Sequence, residues 1–155
     1  MQDSSMLQLF NDDIGISEQL LELIDSEHQA LGERDLDSLQ RILSAKQPLL
    51  SQLGQHAQQR AQMLQGLGLT ADLEGLQALA ASSPVGTELL EQSHKLSQQL
   101  EHCQSGNLRN GRLIRSNQTS THSMLSILNG NDTPSLYDSS GSASRGLNQR
   151  PLSQA

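Results

Sequence analysis

The sequence predicts an all-α protein: an antiparallel bundle of three long helices plus one short helix, with a flexible C-terminal tail. Three observations carry this. Gln, Ser and Leu dominate the 155 residues, with one Tyr, one Phe and no Trp, so any core is aliphatic and built from helix stripes. Apolar residues recur at steps of three and four, which is the period of an amphipathic helix. Start and stop signals fall at the ends of these stretches. The length suits one domain, and the bundle is assigned to residues 1–130 and the tail to 131–155.

The first stripe runs Leu7, Phe10, Ile14, Ser17, Leu21, Ile24, His28 and Leu31. Gly32 is read as its stop, in the position after the last turn where a left-handed residue is favoured. The connection Gly32-Glu33-Arg34 is short, so the next helix runs antiparallel beside the first. Asp35 is the N-cap of that second helix. Its stripe runs from Leu36 to Leu64, and Gly66 and Gly68 end it. Pro48 lies inside and predicts a bend, because it removes the bond to the Ser44 carbonyl.

Thr70 to Ala81 read as the short helix, crossing the end of the bundle. Ser83 and Pro84 are a fresh start signal, as N-cap and first helical residue. The third long helix then extends from Pro84 to Leu128. Its seam is apolar at both ends and polar in the middle, where Asn107, Asn110 and Asn117 take inward positions. An inward Asn weakens packing and fixes register and partner choice. These three mark either a polar, selective groove or a wet, loosely packed middle. The excess of this helix over the other two is placed near Ile114 to Leu128. A spare apolar seam weakened by Ser, Thr and Asn is not stable alone, so it dimerises or meets a partner. Residues 135–155 are Ser, Gly, Gln and Arg with few apolar groups, a composition that orders only on binding, if at all.

Composition excludes several classes. A formal net charge of −7 with almost no aromatic residues supplies neither the basic footprint nor the stacking groups of a nucleic-acid binder. It also disfavours an anionic membrane surface, and no stretch is apolar enough for membrane insertion. Cys103 is the single cysteine and forms no intramolecular disulfide. With an acidic, amphipathic N-terminus in place of a signal peptide, the expected location is the cytoplasm.

Catalytic chemistry finds little support. Glu91-x-x-His94 and Asp25-x-x-His28 imitate half of a di-iron bundle site. His94 lies off the seam, Asp25 is not Glu, and no fourth long helix supplies the remaining ligand. His102 and Cys103 are adjacent and so face different ways. No metal, cofactor or catalytic residue is assigned. Lys46 and Arg60 lie near the stripe of the second helix, fourteen residues apart on one face. The simpler reading is that both snorkel, covering apolar surface with their stems. The other is a cationic pair meeting a carboxylate on another helix or a partner.

The second-helix run Asp35-Leu36-Asp37-Ser38-Leu39, Lys46, Leu49-Leu50, Leu53 and Arg60 resembles that of the FlgN family of flagellar type III export chaperones. Asn107-x-x-Asn110 followed by Leu113-Ile114 is similar to the family's Asn-rich stretch. Leu136-Tyr137-Asp138-Ser139-Ser140-Gly141 resembles its segment after the last helix. The resemblance implies a cytosolic chaperone, not an enzyme. It would bind the C-terminal helical ends of the hook-filament junction proteins FlgK and FlgL through its own C-terminal half, then pass them to the flagellar export apparatus. Carried onto this sequence, it points to Asn107, Asn110, Leu113, Ile114, Met124, Leu125, Leu128 and Tyr137, and Asn117 joins them from the inward Asn set. The residues alone leave a helical adaptor for another secretion substrate, or a self-associating bundle, as alternatives.

Overall fold

Helices α1 (Gln2–Glu33), α2 (Leu36–Gly66), α3 (Leu73–Ser82) and α4 (Gly86–Leu128) follow one another in a computed structural model. It describes the backbone of residues 2–128 and the side chains of residues 2–118, and no strand occurs among the described residues. The tail, with Tyr137, lies outside the described residues.

The helix ends follow from local chemistry. At the end of α1 the stop is Arg34, with φ 57°, and not Gly32. The Asp35 N–H donates to the Ala30 carbonyl at 2.9 Å and the Arg34 N–H to the Leu31 carbonyl at 3.3 Å. This is a Schellman closure with arginine in the left-handed position. The same closure ends α2 with glycine there: Gly68, at φ 74°, follows while Leu69 N–H reaches the Leu64 carbonyl at 2.9 Å. Asp35 caps α2 by accepting from the Ser38 N–H at 3.1 Å, and Asp72 caps α3 by accepting from the Gly75 N–H at 2.9 Å. Bonds from the Ser38 and Thr70 hydroxyls, chiefly, hold these two carboxyls below the usual range. Their capping contribution is therefore complete above the ordinary carboxylate range and lost as pH falls through the depressed values.

α2 continues through Pro48 without a break in the helix. α4 begins two residues after Pro84, at Gly86. Ser83 still acts at its start, accepting from the Val85 N–H at 3.2 Å and donating its hydroxyl to Asp3 at 2.6 Å.

α1 is the central element. It packs along both α2 and α4, whereas α2 and α4 approach each other far less, and α3 lies mainly against α4. α1 and α2 are antiparallel; α1 and α4 run parallel. The α1–α4 register repeats every heptad: Cys103, Asn110 and Asn117 each donate to the carbonyl of the residue 86 positions earlier, Ser17, Ile24 and Leu31. Side chains that donate to a neighbouring helix's backbone require a close approach. Gly106 supplies it, since a Cβ there would stand 2.6 Å from Ile24 Cγ2.

Two apolar clusters fill the bundle. Met6, Phe10 and Ile14 meet Leu64, Leu76, Leu89 and Leu96 at the α3 end. Leu20, Ile24 and Cys103 form the second, with Leu49, Leu50 and Leu53 against it. Each fully buried Leu or Ile contributes about 1.5–3 kcal/mol. His28, placed on the seam from the sequence, is exposed, and the buried position beside it belongs to Glu27.

Two glycines inside helices should respond in opposite directions. Gly54 has nothing within 4 Å of a built Cβ, so Gly54→Ala should stabilise by about 1 kcal/mol through helix propensity alone. Gly106→Ala should destabilise by about 1–3 kcal/mol, because the Ile24 methyl must move. Urea denaturation of both variants checks the pair, and stabilisation by Gly106→Ala would refute the close approach.

Candidate partner-binding site

The interior carries two polar layers, both anchored on α1. Asp13 is fully buried and receives Arg60 and His56 from α2, the latter with Nδ1 2.5 Å from Oδ1. The Arg60 guanidinium also lies over the Phe10 ring, 4.8 Å from its centroid. Four turns further along α1, Glu27 is 1% exposed. Its Oε2 lies 3.4 Å from Lys46 Nζ of α2, and its Oε1 accepts from Asn110 Nδ2 at 2.7 Å. Lys46 Nζ also donates to Asn107 Oδ1 at 3.1 Å, joining α2 to α4.

Asp13 and Glu27 are fourteen residues apart, as are Lys46 and Arg60. Fourteen residues are two heptads, so each pair shares a helix face, and the antiparallel hairpin closes with both pairs matched. Snorkelling is overturned for both cations: Lys46 is 1% exposed and Arg60 ends on a buried carboxylate. Sequence reasoning missed Asp13 and Glu27. The equal spacing of acids on one helix and bases on the next was the signal available.

Burial pushes the Lys46 ammonium below the usual lysine range, against the pull of Glu27. The unfolded chain holds that proton more tightly. Burying charged Lys46 therefore costs stability below its folded pKa, and the cost shrinks as pH rises toward ~10.4. Cys103, fully buried against Ser17, has its thiol pushed up by burial as well.

The candidate partner-binding residues divide by position. Asn107 and Asn110 are buried and bonded across the interior. Leu113, Ile114 and Asn117 are half-buried, and Asn117 holds the Leu31 carbonyl at 3.2 Å. Ile114 and Asn117 therefore lie within the reach of α1. The α1–α4 register sets Glu33, the last residue of α1, level with residue 119, so residues 120–128 of α4 run past α1. Met124, Leu125 and Leu128 belong to that helical extension; their side chains, and Tyr137 altogether, lie outside the described residues.

Glu91 and His94 of the di-iron imitation are both exposed, and Asp25 is engaged with Arg109 at 3.2 Å. Among the described residues no three His, Cys, Asp or Glu side chains are grouped to hold a metal ion. No described helix is long and apolar enough to cross a membrane.

Removing one member of the inner layer should cost far more than removing both. Lys46→Met leaves Glu27 buried without its cation and should destabilise by about 3–5 kcal/mol. Adding Glu27→Leu should recover most of that loss. A urea-denaturation double-mutant cycle measures the coupling, and additive effects would contradict a functioning buried pair.

The geometry is thus a long helix held in register by buried polar bonds and extending beyond its neighbours. Residues 1–145 match the family described as FlgN protein. A crystal structure from Pseudomonas aeruginosa, described as a flagella synthesis protein FlgN, is similar over 80% of this chain and 95% of its own, at 48% identity and a TM-score of 0.69. No curated protein matches. Family pattern and structural likeness agree over most of the sequence, and the chain belongs to the FlgN family.

Proposed function

We propose that this protein is a cytosolic flagellar export chaperone. In this reading it holds the C-terminal helical segments of the hook-filament junction proteins FlgK and FlgL through its own C-terminal half. It keeps them from premature assembly and delivers them to the type III export apparatus. Membership of the FlgN family supports the flagellar assignment. The observation that carries the binding role is the extension of α4 at residues 120–128 past the last residue of α1. By sequence, Met124, Leu125 and Leu128 continue the apolar seam where no helix of the bundle follows. An amphipathic helix of a partner would complete that seam, reading it at i, i+3, i+4 and i+7 spacing. On this reading Asn107, Asn110 and Asn117 act from inside, by fixing the register that aims the extension. Leu113, Ile114, Met124, Leu125, Leu128 and Tyr137 are the candidates for direct contact.

Titration calorimetry with the C-terminal segments of FlgK and FlgL tests this. The full chain should bind at micromolar Kd or tighter. Leu125→Asp with Leu128→Asp should leave the free protein's helicity unchanged and weaken binding at least tenfold, about 1.4 kcal/mol or more. Absence of binding by the full chain would refute the chaperone reading. A concentration-independent dimer that the same double substitution dissolves would favour self-association instead.

A further inference from the structure

Charge is segregated in this molecule. α1 carries eight Asp and Glu residues and no Lys or Arg. α2 has no Asp or Glu after Asp37, and none occurs until Asp72. α4 has none after Glu101, but holds Arg109, Arg112 and Arg115. The acidic net charge therefore belongs largely to the α1 side. The face between α2 and α4, which approach each other little, is free of carboxylates over most of its length.

α3 covers only part of that face. Its ten residues span about 15 Å, against about 46 Å for α2 at ~1.5 Å per residue. Its Leu73 and Leu76 line a cavity together with Phe10 of α1, Ala57, Ala61 and Leu64 of α2, and Ser93 and Ser97 of α4. Beyond it no other described helix covers the face. On α2, Leu50 and Gly54 follow Lys46 by four and eight residues and share its row; Leu50 is half-buried and Gly54 has open space at its Cβ. On α4, Gly111 and Arg115 stand in the same relation to Asn107. Leu36 and Leu108 are 76% and 54% exposed. Arg112 is exposed as well, and so is Arg115.

We propose that this uncovered half of the α2–α4 face receives an acidic amphipathic helix of the exported partner, lying in line with α3 as the fourth helix of the bundle. The inference rests on the chaperone reading and adds the chemistry of what is bound. The apolar side of the partner helix meets Leu36, Leu50, Leu108 and Leu100, the last half-buried on α4. Its carboxylates meet Arg112 and Arg115 at the rim. The open slot, about 30 Å long by the difference of the two helices, takes about 20 helical residues. The acidic outer face of α1 repels the same helix, so charge selects the face as well as the partner.

The test uses the full chain with the C-terminal segments of FlgK and FlgL in titration calorimetry, with circular dichroism on every variant. Gly54→Phe should fill the slot without loss of helicity and weaken binding at least tenfold. Arg112→Glu with Arg115→Glu should weaken it similarly and flatten its salt dependence. Glu18→Arg with Glu22→Arg, on the exposed side of α1, should leave affinity within twofold or tighten it. Replacing the Asp and Glu residues of the segment by Asn and Gln should weaken binding to the unsubstituted chain. Unchanged affinity for both groove variants would overturn the proposal, while segment binding by the unsubstituted chain would leave the chaperone reading standing. No binding by the unsubstituted chain would remove both. A dimer of the free chain that Gly54→Phe converts to monomer would give the slot to a second copy and overturn the proposal. So would groove amides that change exchange on removal of residues 129–155 while both variants still bind the segment normally.

Discussion

The bond network around Glu27 holds the fold in its register. One buried carboxylate joins three helices: its own, α2 through Lys46, and α4 through Asn110. Such a group is weak evidence of net stability, because desolvation offsets much of the attraction. Its effect is on specificity. Apolar stripes of Leu and Ile slide past one another at modest cost, and a heptad slip of α2 would still bury leucines. It would also separate Glu27 from Lys46 and Asp13 from Arg60 together. The parallel α1–α4 pair is fixed by the same logic, with the Asn110 and Asn117 amides seated on α1 carbonyls one heptad apart.

Register becomes function at the far end of the bundle. Because Asn117 is tied to Leu31, α4 must pass beyond the turn at Arg34 and Asp35. The backbone of its last residues thus runs past the end of α1. The asparagines, which from sequence read as either a polar groove or a wet bundle middle, bond across the interior to Lys46 of α2 and to the Ile24 and Leu31 carbonyls of α1. The region between α2 and α4 stays open for a related reason. α1 takes the larger share of both neighbours' apolar surface, and α3 is too short to cover what remains.

Much of this was legible in the sequence. Helix number, order and direction followed from steps of three and four and from cap residues such as Asp35 and Gly68. The long last helix followed from its seam. What escaped was set by long-range pairing. Asp13 and Glu27 were passed over because nothing local distinguishes a buried carboxylate from a solvated one. For the same reason snorkelling was the simpler reading of Lys46 and Arg60, and the other reading, carboxylate partners on another helix, is the one the fold adopts. Arg34 was missed because Gly32 is the better left-handed residue by intrinsic preference, whereas α1 runs one residue past it to Glu33. Continuity of α4 through Gly106 followed from the seam, but the close approach to Ile24 that gives this glycine its value did not. The contact roles of Met124, Leu125, Leu128 and Tyr137 rest on sequence pattern.

Amide hydrogen exchange along α4, in the free chain and with the FlgK C-terminal segment bound, tests the central claim most directly. The account predicts strong protection in the free chain from Leu89 through Asn117, a fall across residues 120–128, and a rise there and along the open edge of α2 on binding. Uniform protection through Leu128 in the free chain, unchanged by the segment, would contradict it.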